Sequence, residues 1–255
     1  MKYGIISDVH ANPLALETAL ADGAACGVSK WIFCGDVTGY GYDAATALKL
    51  VRERMDVSLM GNHDFVCSRT PEEETKYDRI NPCYGLDRRQ RRELDAAGLA
   101  WLRERAYVRS FGSFACSHGN FLYPEGFGYV NSIEDAEASF RATAEPLLFV
   151  GHSHHAEAYS LSPEGTVEQL PARDIVLRDG WRYLVNVGSV GYPRHDFDSF
   201  YCIFDDEAKT VTFRRLPFDL AGYAEKLKQA NIPPPKWLTL LTDVLKLVDG
   251  GRADA

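Results

Sequence analysis

The chain has no run of about 18 apolar residues, the length a membrane-spanning helix needs, so no membrane partner is expected. Its first residues, MKYGIISDVHAN, lack the apolar core and cleavage signature of a secretory leader, and a cytoplasmic location is expected. Cysteine is sparse: six residues, at 26, 34, 67, 83, 116 and 202, with no CxxC pair. That scatter excludes a disulfide framework and a thiolate zinc site. Positive charge is also short, 28 Lys and Arg against 36 Asp and Glu, for a net charge of -8. A stable nucleic-acid partner, which depends on basic surface, is therefore not expected. Anionic substrates stay open, because bound metal ions reverse the local field. No internal repeat or low-complexity segment occurs.

What is present is a soluble-type composition, 45% apolar over 255 residues, enough for a sizeable core in one large α/β domain. KYGIIS reads as a buried strand ending at Asp8. NPLALETALADGAACG then reads as a helix, with Asn12 as cap, Pro13 in the first turn and Gly27 as stop. WIFCGD and DVSLMGNHD repeat the pattern of a strand running into polar residues, separated by helical YDAATALKLVRER. Such alternation predicts parallel strands with helical crossovers and a site at their carboxyl ends. Residues 65–116 break the rhythm as a helical insertion, with DRRQRRELDAAGLAWLRER as its main helix; beyond them short strands dominate. A last helix is expected over about 236–248, and the whole of 1–255 is expected to form one domain.

Three of the chain's seven histidines fall within GHSHH, residues 151–155. Crowded imidazoles need something to take up their lone pairs, and a metal is the usual acceptor. DVH offers Asp8 and His10, GD offers Asp36, GNHD offers Asn62, His63 and Asp64, and SHG offers His118. GHSH adds His152 and His154; only His195 in YPRHD stands apart. Asp8/His10 and His152/His154 are i, i+2 pairs, which share a face if their segments are extended. Imidazole, carboxylate and amide together suit manganese, iron, nickel, cobalt or zinc. There are too many candidates for one closed structural zinc site, whereas two ions sharing a carboxylate would use them all.

The order D-x-H, G-D, G-N-H-D, H, G-H-x-H resembles the calcineurin-like metallophosphoesterase superfamily. SDVHANPLALETAL, GDVTGYG and NVGSVGYPRHD resemble its compact bacterial and archaeal branch. The resemblance implies a four-layer α/β/β/α sandwich of two mixed sheets flanked by helices, with two divalent transition-metal ions at the strand ends. By position, Asp8, His10 and His154 would hold one ion and Asn62, His118 and His152 the other, with Asp36 bridging. His155 matches no ligand position. His63 is implied as the acid that protonates the leaving oxygen while a water shared by the ions attacks phosphorus. Asp64 would orient His63 or cap a helix. Asn12, Tyr40 and Arg194 are candidates to line the substrate pocket.

The expected activity is hydrolysis of a small phosphodiester or phosphomonoester. Serine/threonine protein phosphatases of the superfamily carry G-D-x-V-D-R-G, whereas here Gly39 and Tyr40 replace its second Asp and its Arg. That departure places a protein phosphatase or a dinucleoside polyphosphate hydrolase second; a non-catalytic scaffold comes last, because every ligand position and the His63 position carry the expected residue types. The sequence leaves homo-oligomerisation open.

Overall fold

Alternate residues of the first strand face different cores. In β1 (Lys2–Ile6), Ile5 belongs to the apolar layer between two sheets, and Ile6 to the layer beneath the first helices. This two-sided burial explains why the strand is apolar beyond its exposed first residue, Lys2. The structure is a computed structural model and describes residues 1–194, 197–236, 238 and 239. Its backbone divides into two compact units, Met1–Pro217 and Phe218–Ala255.

The first unit opens with the expected crossovers. β1 leads into α1 (Pro13–Ala25), β2 (Lys30–Phe33), α2 (Ala44–Arg54) and β3 (Val57–Ser58), with β1, β2 and β3 parallel. Asn12 caps α1 by accepting from the Ala15 N–H, and Gly27 follows it with φ +80°. Next come α3 (Asn62–Ser68), α4 (Lys76–Ile80), α5 (Gly85–Glu93) and α6 (Ala96–Arg103). The expected single helix over 87–105 is thus two. Leu94 is extended, and Asp95 starts afresh as a cap, accepting from the Gly98 N–H at 2.6 Å.

The second half supplies β4 (Val108–Ser110), β5 (Ala115–Ser117), α7 (Ile133–Ala142), β6 (Leu147–Val150), β7 (Ala156–Leu161), β8 (Val167–Pro171) and β9 (Ile175–Val176). It continues with β10 (Arg182–Val187), β11 (Asp198–Asp205) and β12 (Thr210–Pro217). Two six-stranded mixed sheets result, ordered β3-β2-β1-β11-β12-β9 and β4-β5-β6-β10-β7-β8. Ile32, Cys202 and Phe204 of the first meet Phe149, Val185 and Val187 of the second. Leu16, Leu20, Leu48 and Val51 of α1 and α2 cover the outer face of the first sheet. Ala136 and Phe140 of α7 cover Leu148, Val150 and Tyr159 of the second. The order of layers is α/β/β/α, as the sequence resemblance implied.

In the second unit, Asp219 caps α8 (Leu220–Gln229), accepting from the Gly222 N–H, with Tyr223 and Leu227 buried. Most of the helix expected at about 236–248, including Trp237, lies outside the described residues.

Candidate metal centre

Each expected site segment leaves the carboxyl end of a strand: Asp8 and His10 after β1, Asp36 after β2, Asn62 after β3, His118 after β5, and His152 and His154 after β6. Five of these seven side chains sit on left-handed backbone. Asp8, His10, Asp36, His152 and His154 have φ between 45° and 67°, a conformation that costs non-glycine residues energy and concentrates at functional sites. The i, i+2 pairs therefore do not alternate along extended chain, as the sequence reading supposed. The loops curl instead. The N–H groups of Asp8, His10 and Ala11 donate to the carbonyls of Gly35, Asp36 and Val37, locking the first loop onto the second.

The imidazoles are oriented from behind. Nδ1 of His10 donates to the Thr38 carbonyl at 2.7 Å, Nδ1 of His118 to Cys34 at 3.0 Å, and Nδ1 of His154 to Tyr192 at 2.6 Å. A carbonyl can only accept, so each neutral ring carries its proton on Nδ1 and turns the Nε2 lone pair inward. Nε2 of His10 then faces Nε2 of His154 at 3.1 Å, with Asp8 Oδ1 3.5 and 3.2 Å from the two. Nε2 of His118 faces His152 Nδ1 and Asn62 Oδ1, both at 3.1 Å. Acceptors meet acceptors at both points, so each requires a cation or a proton between them.

Asp36 lies between the two points. Its Oδ1 accepts from the His63 N–H at 2.9 Å, while Oδ2 is 3.2 Å from His118 Nε2 and 3.8 Å from His10 Nε2. Asp8 Oδ1 and Asp36 Oδ2 are fully buried and find no hydrogen-bond partner among the described residues. A buried, unpartnered carboxylate oxygen is costly unless a cation meets it, and here two occur within one donor set. Burial pulls His10 to about 4 and His152 to about 3, keeping both in the neutral form that ligates. His118 goes the other way: burial lowers it, but the Asp36 carboxylate more than offsets this and raises it to about 9. The residues fit two cations. Asp8, His10 and His154 form one group able to hold a metal, and Asp36, His118 and His152 another; a third, His10, Asp36 and His63, shares a residue with each of them.

His63 sits beside this centre as the second residue of α3, not in an extended turn. Its Nδ1 bonds Asp87 Oδ2 at 2.9 Å, with both side chains buried. Burial works against a charged ring, yet Asp87 and then Asp36 raise the His63 pKa above its ordinary value. Asp64 does not contact this pair by hydrogen bond. Its carboxylate accepts from the N–H groups of Asp36, Val37 and Thr38 and from the Thr38 hydroxyl, with a longer 3.4 Å contact from the Gly61 N–H at the start of α3, so it braces the 36–38 loop and does not orient His63. Asp87 was missed by sequence reasoning. It is one acid in an arginine-rich helix, and only docking of α5 brings it to His63. Gly39 makes the pairing feasible: a Cβ there would stand 2.6 Å from His63 Nδ1.

Residues 1–209 match the model of the calcineurin-like phosphoesterase superfamily domain. The chain belongs to this superfamily. An uncharacterized protein of Methanocaldococcus jannaschii is 30% identical over 243 residues, covering 92% of this chain and 94% of that protein. A metallophosphoesterase of Sphaerobacter thermophilus is 30% identical with a TM-score of 0.78, covering 91% of this chain and 95% of that one. A hypothetical protein of Pyrococcus horikoshii shares the fold, with a TM-score of 0.70 at 16% identity, covering 93% and 95% of the two chains. Divalent metal ions and hydrolysis of phosphoesters accord with membership of this superfamily.

The cleft of this calcineurin-like phosphoesterase is about 360 Å³, with Asp36, Asn62, His63, His152 and His154 at its base. Two of the three candidate substrate residues line it. Arg194 donates from Nη2 to the Tyr40 hydroxyl at 3.2 Å, and both face the opening. Asn12 does not line it. Its side chain is consumed in capping α1, donating to the Gly191 carbonyl and accepting from the Tyr42 hydroxyl. The His155 side chain is 44% exposed, with Nδ1 3.7 Å from Glu157 Oε2, and it belongs to none of the groups able to hold a metal. His195 lies outside the described residues. No described helix is long and apolar enough to cross a membrane.

Proposed function

We propose that the protein is a dinuclear metal-dependent phosphoesterase that hydrolyses a small phosphodiester or phosphomonoester. The observation that carries this reading is Asp36 Oδ2, buried and unpartnered between two sets of inward-facing imidazole lone pairs. Asp8, His10 and His154 would hold one ion, Asn62, His118 and His152 the other, and Asp36 both. When bound, the ions neutralise phosphoryl oxygens and acidify water for in-line attack.

The protein's own groups supply the rest. Hydrolysis of a diester forms one bond from a water oxygen to phosphorus and breaks the bond to the leaving oxygen. One water proton passes to solvent, and the leaving oxygen takes a proton from His63. Asp87, accepting from Nδ1–H, fixes Nε2–H toward the cleft, so the donated proton sits on the nitrogen nearest the substrate. Asp87 is a positioning residue. Arg194, tied to Tyr40, is placed to meet a non-bridging phosphoryl oxygen. The carboxylate of Asp64 keeps the 36–38 loop, and with it Asp36, in its strained form.

The test is hydrolysis of bis-p-nitrophenyl phosphate by metal-stripped protein, before and after adding manganese, nickel or cobalt. Activity should appear only with metal and vanish with a chelator. Full activity in the stripped, chelator-treated protein would overturn the reading. Strong preference for a phosphoserine peptide over every diester would replace it with protein phosphatase activity.

A further inference from the structure

The walls of the cleft differ from its base. Three stretches far apart in sequence contribute aromatic rings: Tyr40, then Tyr77 and Tyr84, then Phe127 and Tyr129. Two of these rings are left in solvent, Tyr77 at 65% and Tyr129 at 45% exposure, at the mouth of a polar, charged site. Isolated exposed rings are ordinary, but rings from separate segments gathered on one cleft mark a binding surface.

The rings are also fixed in place. Tyr129 stacks on His152, with centroids 4.1 Å apart and planes 14° from parallel. The Tyr84 ring stands edge-on to His63 at 5.3 Å, and its hydroxyl accepts from Asn62 Nδ2. The Tyr77 hydroxyl accepts from Asn81 Nδ2 at 3.1 Å. The Arg194 guanidinium lies 5.5 Å over the Tyr40 ring. Tyrosines held this way offer large apolar faces at little entropic cost. An alkyl substituent would use little of such a surface. A planar ring would stack on it while its phosphate reached Arg194 and the base of the cleft, and the volume is that of a small-molecule site.

From this arrangement we infer that the substrate carries a planar aromatic group, a nucleobase or an aryl ring, on the substituent of its phosphate, with Tyr77 and Tyr129 forming the slot that receives it. The inference rests on the phosphoesterase reading for the position of the phosphate. It also assigns a role to the helical insertion, whose residues 77–84 build one wall.

Binding tests the slot with turnover suppressed. Thymidine 5′-monophosphate, benzyl phosphate and methyl phosphate, whose alkyl leaving groups need a proton donor, would be titrated calorimetrically into the manganese-loaded His63→Gln protein, with the substitutions below made in that background. The two ring-bearing phosphates should bind roughly tenfold or more tightly than methyl phosphate, the scale of one base–aromatic stack. Tyr77→Ala and Tyr129→Ala should each shrink that ratio severalfold. A benzyl phosphate as tight as the nucleotide points to ring stacking alone; a tighter nucleotide adds contacts to the base edge. Equal affinities for all three, or a ratio untouched by both substitutions, would overturn the slot. A binding preference without hydrolysis of any corresponding p-nitrophenyl diester would leave the slot standing and sink the phosphoesterase reading.

Discussion

His63 shows how much rests on which nitrogen carries a proton. Asp87 occupies Nδ1 of His63, and the His63 backbone N–H anchors Asp36 Oδ1, so His63 itself joins the acid to the bridging carboxylate. Replacing His63 by Gln keeps that N–H and should leave the fold and bound metal unchanged. The rate should fall roughly 10²–10⁴-fold for alkyl leaving groups, which must be protonated as they depart. It should fall far less for p-nitrophenolate, which leaves as an anion. Asp87→Asn should give a smaller loss with the same dependence on leaving group, a pattern that mere loosening of structure would not produce. Comparing kcat for both ester types in the three proteins checks this. Equal losses on both esters would remove His63 from proton donation. At this scale the sequence was legible for the ligand residues, because they fall in short motifs at strand ends. It was not legible for Asp87, which is 24 positions from its partner. Nor could it show the left-handed turns at Asp8 and His152, since the residues that adopt them are not glycines.

Among the elements, α5 is unusual in what it buries. Nearly all its residues are charged or polar, and its buried side chains are Asp87 and Gln90, one turn apart on the same face. Gln90 accepts from the Gly39 N–H at 2.7 Å and donates to the Gly41 carbonyl at 3.2 Å, clamping the loop that carries Tyr40. The arginines around them are spent locally: Arg91 pairs with buried Glu74, and Arg89 with Glu93. A helix docked by polar contacts is invisible to apolar periodicity, which is why the insertion's helices were misdrawn while capped α1 was not. Gln90→Ala would leave two buried backbone groups unsatisfied, at a cost of roughly 1–3 kcal/mol. For a chain of this size that lowers the melting temperature by roughly 2–4 °C per kcal/mol. Thermal unfolding followed by circular dichroism would show it, and an unchanged midpoint would mean α5 does not clamp the loop.

Across the whole molecule, two sheets deliver their strand ends to one place. β1, β2 and β3 of the first sheet and β5 and β6 of the second all stop at the same edge, and their loops carry every candidate ligand. The early alternation of strand and helix patterns made the parallel crossovers legible, whereas the layer order came from the resemblance of the motifs. The pairing of β1 with β11, which joins the two halves of the first sheet, was not legible, since it spans nearly 200 positions. The central claim is that this edge holds two cations through one shared carboxylate. Asp36→Asn tests it most directly. The amide can keep the oxygen that accepts from His63, but it puts an N–H₂ group where Oδ2 faces both sets of lone pairs. Elemental analysis after loading and dialysis should find two ions per wild-type chain and a weakened hold on both in the variant. One ion per wild-type chain, or a variant that loses one ion and keeps the other at its original affinity, would contradict the account.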